Sequence, residues 1–356
     1  MNSKIVAIFL PLTDAKSPGV AVLVRKDGRT VFVRGYGVGD LRSKARVDTQ
    51  TNFRLASCTK QFTAMAVMLL VHDGKLRYDE TLSEVFPEFP AYGKTITIRN
   101  LLNHTSGLQD YESLMDVEER KTPHRWTEDN QIQDTEVLGL LEQQAGTKFP
   151  PGSSWAYSNS GYVVLGLMVA RVSGKPFSEF LYERIFKPLA MNRTVAYEKG
   201  KNEVWHRAYG HSQGGGKWKE TDQSSTSATL GDGGIYSSLD DLAKWDEALA
   251  NHTLLSVKEM LSALTPVKLL GGAMPRWPAD SDRPEGTPVS YGFGWFLDPY
   301  QGHARTWHYG DTMGFHTYIS RYLSEKLTII VLCNRTDLDP EKLALQVTGL
   351  YLAPSQ

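Results

Sequence analysis

The sequence predicts an α/β protein in the α+β arrangement: an antiparallel sheet built from both termini and flanked by helices, with a large, mainly helical lobe inserted. β-rich runs occur near the start and near the end of the chain, and the long stretch between them, from Phe62 to about Leu264, has helical patterning broken by Gly, Pro and Ser loops. No linker-like segment and no internal repeat divides the 356 residues into independent units. The predicted division is a sheet lobe from residues 1–61 with 288–356 and a helical lobe from 62–287, with the functional cleft between them.

At the start, Met1-Asn2-Ser3-Lys4 precedes a short apolar stretch, Ile5 to Leu12. A lysine before an apolar run is one mark of an export signal. This run contains Pro11, is at the short limit for such a segment and leads to no small-x-small cleavage site, so it is read as the first helix of the domain. Location follows from whether a leader was removed: periplasmic or secreted if so, cytoplasmic otherwise.

Gly19 to Arg25 and Arg29 to Tyr36 are β-rich runs, and the Asp-Gly pair in Lys26-Asp27-Gly28 joins them as a hairpin. From Ser57 to Leu70 apolar residues become almost continuous until Asp73-Gly74, the pattern of a buried helix closed by a glycine cap. Helical segments then alternate with loops, notably Phe149-Pro150-Pro151-Gly152 and Gly214-Gly215-Gly216. Ser290 to Leu297, Gly314 to Tyr322 and Leu327 to Cys333 are predicted as three more strands, followed by a helix within Asp339 to Tyr351.

With 39 basic and 40 acidic residues interspersed, the chain has no long-range field to steer it onto nucleic acid or an anionic membrane. The longest apolar run, Phe62 to Val71, is about half of what spans a bilayer and is interrupted by Thr63. Two cysteines, Cys58 and Cys333, give neither a disulfide framework nor a metal cluster, and no cofactor is implied.

Ser57-Cys58-Thr59-Lys60 carries the first piece of chemistry. Ser57 and Lys60 lie at i and i+3, neighbours on one helix face, where a hydroxyl can hand its proton to an amine. A lysine desolvated in a cleft has a lowered pKa and serves as the base that an unionised hydroxyl needs. The helix N-terminus favours the anionic oxygen formed when a carbonyl is attacked. Taken alone, the pair also fits a capping serine beside a solvated lysine. Cys58 faces another direction and is a packed bystander.

Tyr157-Ser158-Asn159 is the second piece, placed between the Pro150-Pro151-Gly152 loop and an apolar helix from Gly161 to Val172. A phenol ionises near pH 10, so Tyr157 needs positive neighbours such as Lys60 to act as a base. Asn159 both donates and accepts, which suits holding a substrate amide, although a core aromatic and a capping Asn fit the same residues. The third piece is His308-Tyr309-Gly310, entering a C-terminal strand. Gly310 permits close approach of substrate, and the N–H of Asp311 could complete an oxyanion hole with that of Ser57. Tyr111, Trp155 and Tyr309 are candidate apolar walls of the cleft.

A Ser-x-x-Lys, a Tyr-x-Asn and a terminal His-x-Gly in this order resemble the serine β-lactamase and penicillin-binding protein superfamily, in its class C-like branch of β-lactamases, D,D-carboxypeptidases, D-aminopeptidases and β-lactamase-like esterases. The similarity extends to Phe53-Arg54-Leu55-Ala56, Leu101-Leu102-Asn103-His104-Thr105-Ser106-Gly107-Leu108, Gly161-Tyr162 and Gly233-Gly234-Ile235-Tyr236-Ser237-Ser238, nearly the whole chain. The resemblance implies a β-lactamase/transpeptidase-like fold and a serine hydrolase acting through an acyl-enzyme on a small ester, peptide or β-lactam, with no obligate protein partner. It assigns acylation to Ser57, proton shuttling to Lys60 and Tyr157, substrate positioning to Asn159, and the oxyanion to the backbone N–H groups of Ser57 and Asp311. His308 and Tyr309 depart from the Lys-Thr-Gly of class C β-lactamases. A neutral His and a Tyr do not reproduce a carboxylate-binding Lys and short hydroxyl, so the expected activity shifts toward esterase or D-amino-acid peptidase, with weak β-lactam hydrolysis as the alternative.

Two rivals are weighed. Gly210-His211-Ser212-Gln213-Gly214 satisfies G-x-S-x-G, but no strand-to-helix pattern surrounds it, so it is read as a loop, and His206 and His211 as solvated loop histidines rather than metal ligands. The other is a penicillin-binding sensor that keeps Ser57 and Lys60, acylates once and does not turn over.

Overall fold

Five antiparallel strands form the main sheet of the computed structural model, which describes residues 1–352 except Thr13, Ala15, Asp280 and Asp282. They are β1 (Val20–Lys26), β2 (Arg29–Tyr36), β3 (Arg305–Thr312), β4 (Phe315–Tyr322) and β5 (Leu327–Cys333), in the order β2-β1-β5-β4-β3. The two ends of the chain thus meet at the β1–β5 pairing, where Val22 opposes Val331. Asp27 and Gly28 take positive φ, 52° and 75°, as the tight β1–β2 turn requires. β1 is an inner strand beside the central β5 and its residues Val20 to Val24 are all buried, whereas β2 and β3 are the edges.

Alternation along the strands divides the core in two. On one face Val20, Val22, Val24, Ile329 and Val331 pack with Ile5 and Phe9 of helix α1 (Asn2–Phe9) and with Ala344 and Val347 near the C-terminus. The N-terminal segment is therefore a helix, as expected. On the other face Ala21, Leu23, Ile330 and Leu332 join a second core that also contains helix α2 (Lys60–His72), whose residues from Lys60 to Leu70 are all buried. Each large apolar side chain buried there stabilises the fold by roughly 1.5–3 kcal/mol. Gly74, at φ +70°, follows the end of α2 as the glycine pattern predicts.

Three sequence expectations need correcting. Ser290 to Leu297 is a tight turn rather than a strand. Gly292 N donates to Trp295 O at 2.9 Å, Gly294 has φ +75°, and isolated bridges alone join Tyr291 to Phe296 and Phe296 to Trp307. The strand in its place is β3, with His308-Tyr309-Gly310 inside it. The middle of the chain also contains strands. Phe53–Arg54, Ile235–Ser237 and Val195–Ala196 make a small sheet, and His211–Gly214 pairs with Lys217–Glu220 as a hairpin around Gly215 and Gly216, both at positive φ. Ser212 therefore sits in a hairpin strand with no helix after it, and His211 is buried rather than solvated.

No described helix is long and apolar enough to cross a membrane, and no group of three His, Cys, Asp or Glu side chains among the described residues could hold a metal ion.

Candidate active site

Ser57 lies in a single 3-10 turn, Ala56–Thr59, and Lys60 opens α2 directly behind it. The turn runs into α2 with helical backbone at Thr59 and Lys60, so Ser57 and Lys60 share one helical turn as expected, and Ala56 before them takes φ +47°, a conformation that L residues rarely adopt and that is found where surrounding structure enforces it. Lys60 Nζ donates to Ser57 Oγ at 3.0 Å, to Asn159 Oδ1 at 2.8 Å and to the backbone carbonyl of Asp232 at 3.0 Å. Three acceptors converge on one amine that has 0% exposure. Burial drives its pKa down to about 8, against Asp232 and Glu112, whose charges favour the ammonium.

Asn159 begins helix α4 (Asn159–Ser173), counting a short helix α3 at Tyr111–Lys121 between it and α2. Ser158 caps α4, its hydroxyl accepting from Gly161 N at 3.0 Å, and this fixes the turn that presents Tyr157. Lys60 Nζ stands 4.8 Å from the Tyr157 ring centre. The Tyr157 hydroxyl is buried with no hydrogen-bond partner among the described residues. Burial holds its pKa well above the usual phenol value, with the Ser57 hydroxyl acting in the opposite sense. Tyr157 is therefore a neutral phenol in this resting arrangement, not a phenolate.

β3 supplies the other wall. A Cβ on Gly310 would fall 2.2 Å from Leu55 O and 2.4 Å from Thr317 Oγ1, so only glycine lets this strand run against the residues that precede Ser57. Asp311 follows it, its carboxylate paired with His316 Nε2 at 3.0 Å across the β3–β4 turn, which raises the His316 pKa. His308 shares the face of Gly310. It is fully buried, its Nε2 is 3.1 Å from Tyr291 Oη, and burial pushes its pKa down to about 3. It is a neutral imidazole.

Two of the three candidate apolar walls, Tyr111 and Trp155, are placed differently from expectation, whereas Tyr309 lines, with Gly310, Asp311, Arg283 and His316, a groove of about 430 Å³ and acts through space on the Tyr157 phenol. Tyr111 and Trp155 are each 1% exposed. Tyr111 Oη reaches Asp232 Oδ2 at 3.3 Å, and Trp155 is packed edge-on against Trp277, 4.9 Å between ring centres. Cys58 is the buried bystander expected, its thiol pushed up to about 12 by burial.

Asp232, Glu112 and His104 carry no role in the sequence reading. Asp232 comes close to Lys60 because Arg54, itself buried, donates to Ser227 and Gly233, and Thr63 Oγ1 donates to Gly231 O at 2.6 Å, which draws residues 227–233 over α2. Glu112 sits at the rim beside Tyr111. Partial desolvation, then the neighbouring charges of Asp110 and Asp232, pushes its carboxyl up to about 7, and its exposure to solvent screens part of that effect.

The Beta-lactamase family model matches residues 7–350. The chain belongs to the Beta-lactamase family. Among curated proteins it is 31% identical over 344 residues to Penicillin-binding protein 4* of Bacillus subtilis, covering 93% of this chain and 71% of that protein. It is 26% identical over 322 residues to a D-aminopeptidase of Cereibacter sphaeroides, covering 90% of this chain and 57% of that protein. Among solved structures it is similar to D-amino acid amidase from Ochrobactrum anthropi SV3 complexed with L-phenylalanine amide, at TM-score 0.78 and 26% identity over 97% of this chain and 95% of that one. Family and relatives together make this a β-lactamase-fold serine hydrolase.

Proposed function

We propose that the chain hydrolyses esters and amides through an acyl-enzyme on Ser57, with Lys60 as base and Tyr157 as proton carrier, and that its preferred substrates are amides or peptides of D-amino acids with a free amino group. The observation that carries the reading is the 3.0 Å contact of a fully buried Lys60 amine with Ser57 Oγ. A pKa of about 8 leaves roughly a tenth of that amine unprotonated at pH 7, enough to act as a general base.

In the proposed step, neutral Lys60 takes the Ser57 proton as Oγ bonds to the substrate carbonyl carbon, and the N–H groups of Ser57 and Asp311 receive the oxyanion. Tyr157 gives its phenolic proton to the leaving nitrogen or oxygen as that bond breaks, and takes a proton back directly from the neighbouring Lys60 ammonium, which returns Lys60 to the neutral amine while Ser57 Oγ is held in the ester. Water reverses the sequence in deacylation. Asn159, its carbonyl engaged by Lys60, keeps its amide nitrogen to donate to the substrate.

Two observations support the substrate class. D-aminopeptidase and D-amino acid amidase are among the relatives, and the rim next to Lys60 carries Asp110 and Glu112, with one oxygen of buried Asp232 lacking a hydrogen-bond partner among the described residues. These carboxylates suit an ammonium. A neutral His308, by contrast, offers no cation to a carboxylate-bearing β-lactam.

The test is a panel of p-nitrophenyl acetate, D- and L-phenylalanine amide and nitrocefin. Repeated turnover of the ester and the D-amide, with nitrocefin far slower, is expected. A single burst equal to the enzyme concentration would favour a sensor, and nitrocefin hydrolysis matching the D-amide would overturn the substrate class.

A further inference from the structure

His104 has positive φ, +63°, and 0% exposure, in the turn that follows the short helix Ile98–Leu102. Both neighbours of Tyr157 are tied to it. Ala156 N donates to its carbonyl at 3.0 Å, and Ser158 N donates to its Nδ1 at 3.1 Å. Its ring lies 4.5 Å from the Tyr157 ring and 4.5 Å from that of Tyr291, with Tyr162 at 5.2 Å and Trp155 at 5.7 Å.

We propose that His104 is the positioning residue for Tyr157, fixing the backbone on each side of it and its ring face so that the phenol stays against Ser57 and Lys60. The proposal rests on Tyr157 being the proton carrier. Because Ser158 N–H points at Nδ1, that nitrogen must be the unprotonated one and the proton sits on Nε2, a tautomer assigned from the bond it receives. Nε2 has no hydrogen-bond partner among the described residues, and the rings around it leave only weak N–H···π contacts. A protonated ring would turn a donor onto Ser158 N–H and break the clamp. Burial first, then the charge of Lys60, holds the His104 pKa well below its ordinary value, so the clamp stays closed at working pH. A residue that only filled this space would need no acceptor at Nδ1.

The experiment compares His104→Leu, His104→Asn and His104→Gln with Tyr157→Phe in p-nitrophenyl acetate turnover, with thermal unfolding of each. Asn places an amide oxygen near the position of Nδ1; Leu removes the acceptor and Gln carries its amide one methylene farther. The expected result is a kcat loss of about 10- to 100-fold in His104→Leu with KM changed less than about threefold, restored to within about fivefold of wild type in His104→Asn. Should the Leu variant fail to fold, His104→Gln takes its place with the same expected loss. Equal kcat in the Asn variant and in the Leu or Gln variant, whatever their melting temperatures, overturns the proposal. Undiminished kcat in Tyr157→Phe overturns the proton-carrier reading itself, whereas a dead Tyr157→Phe beside an active His104→Leu overturns only the role of His104.

Discussion

Lys60 bonds the backbone carbonyl of Asp232 at 3.0 Å, while the carboxylate of the same residue turns to Tyr111 and keeps one oxygen unpartnered among the described residues. The lysine takes a neutral bond from Asp232 and feels its charge through space. Of the charges that favour the ammonium, that of Asp232 is the largest. Lys60 works as a base only when unprotonated, so kcat/KM for p-nitrophenyl acetate should rise with pH through about 8 and level off above it. Asp232→Asn removes an interaction that favours the protonated form, so the acid limb should move to lower pH. A limb that stays in place or moves upward would show that another group titrates there.

Ser57 is the nucleophile under this account and Ser212 a hairpin residue, so the two serines should separate cleanly. Ser57→Ala should lower ester turnover by at least about a thousandfold and abolish covalent labelling by a fluorescent phosphonate. Ser212→Ala should label and turn over as wild type. Labelling that survives in the first variant and vanishes in the second would reverse the assignment.

Glu112 should matter only to substrates with an amino group. Its carboxyl is at the rim, where an exposed ion pair contributes up to about 1 kcal/mol, so Glu112→Gln should raise KM for D-phenylalanine amide roughly two- to fivefold and leave p-nitrophenyl acetate unchanged. The sign with pH follows from a carboxyl pushed up to about 7: the advantage of Glu112 appears as pH rises through that value and the carboxyl ionises. A change of equal size for the neutral ester would mean that the substitution disturbs the site rather than the recognition.

The sheet was legible because its strands carry dense β-branched runs, as in Val20 to Val24 and Leu327 to Cys333, and because Asp27-Gly28 announces a turn. β3 was hidden: Trp307, His308, Tyr309 and Gly310 carry no simple alternation, and the glycine-broken segment 290–297 imitated a strand beside it. In the site, motif spacing placed Ser57, Lys60 and Asn159, which do meet at one amine. It could not place Asp232, whose part depends on a backbone carbonyl, nor His104, whose part depends on a ring nitrogen meeting an N–H 54 residues later. Backbone groups have no signature in a side-chain pattern. Tyr111 and Trp155 are covered rather than cleft-lining for a related reason, since their burial depends on loops that pack over them from far along the chain.

Gly310 gives the most direct test of how close β3 must lie to the nucleophile. Leu55 O already accepts from Thr317 Oγ1 at 2.8 Å, and a Cβ at Gly310 would sit between them, 2.2 Å from the first and 2.4 Å from the second. Neither can yield cheaply, because one is backbone and the other belongs to the adjacent strand β4. Gly310→Ala should therefore push the edge strand away from Ala56 and Ser57 and carry the Asp311 N–H with it. A displacement near 1 Å costs on the order of a hundredfold in kcat when the displaced group acts in the transition state. Labelling of Ser57 should slow by the same factor if the oxyanion is held by that N–H, since acylation and hydrolysis both form one. Wild-type kcat in a folded Gly310→Ala protein would exclude Asp311 N–H from the oxyanion hole and leave Ser57 N–H to hold the charge with another donor.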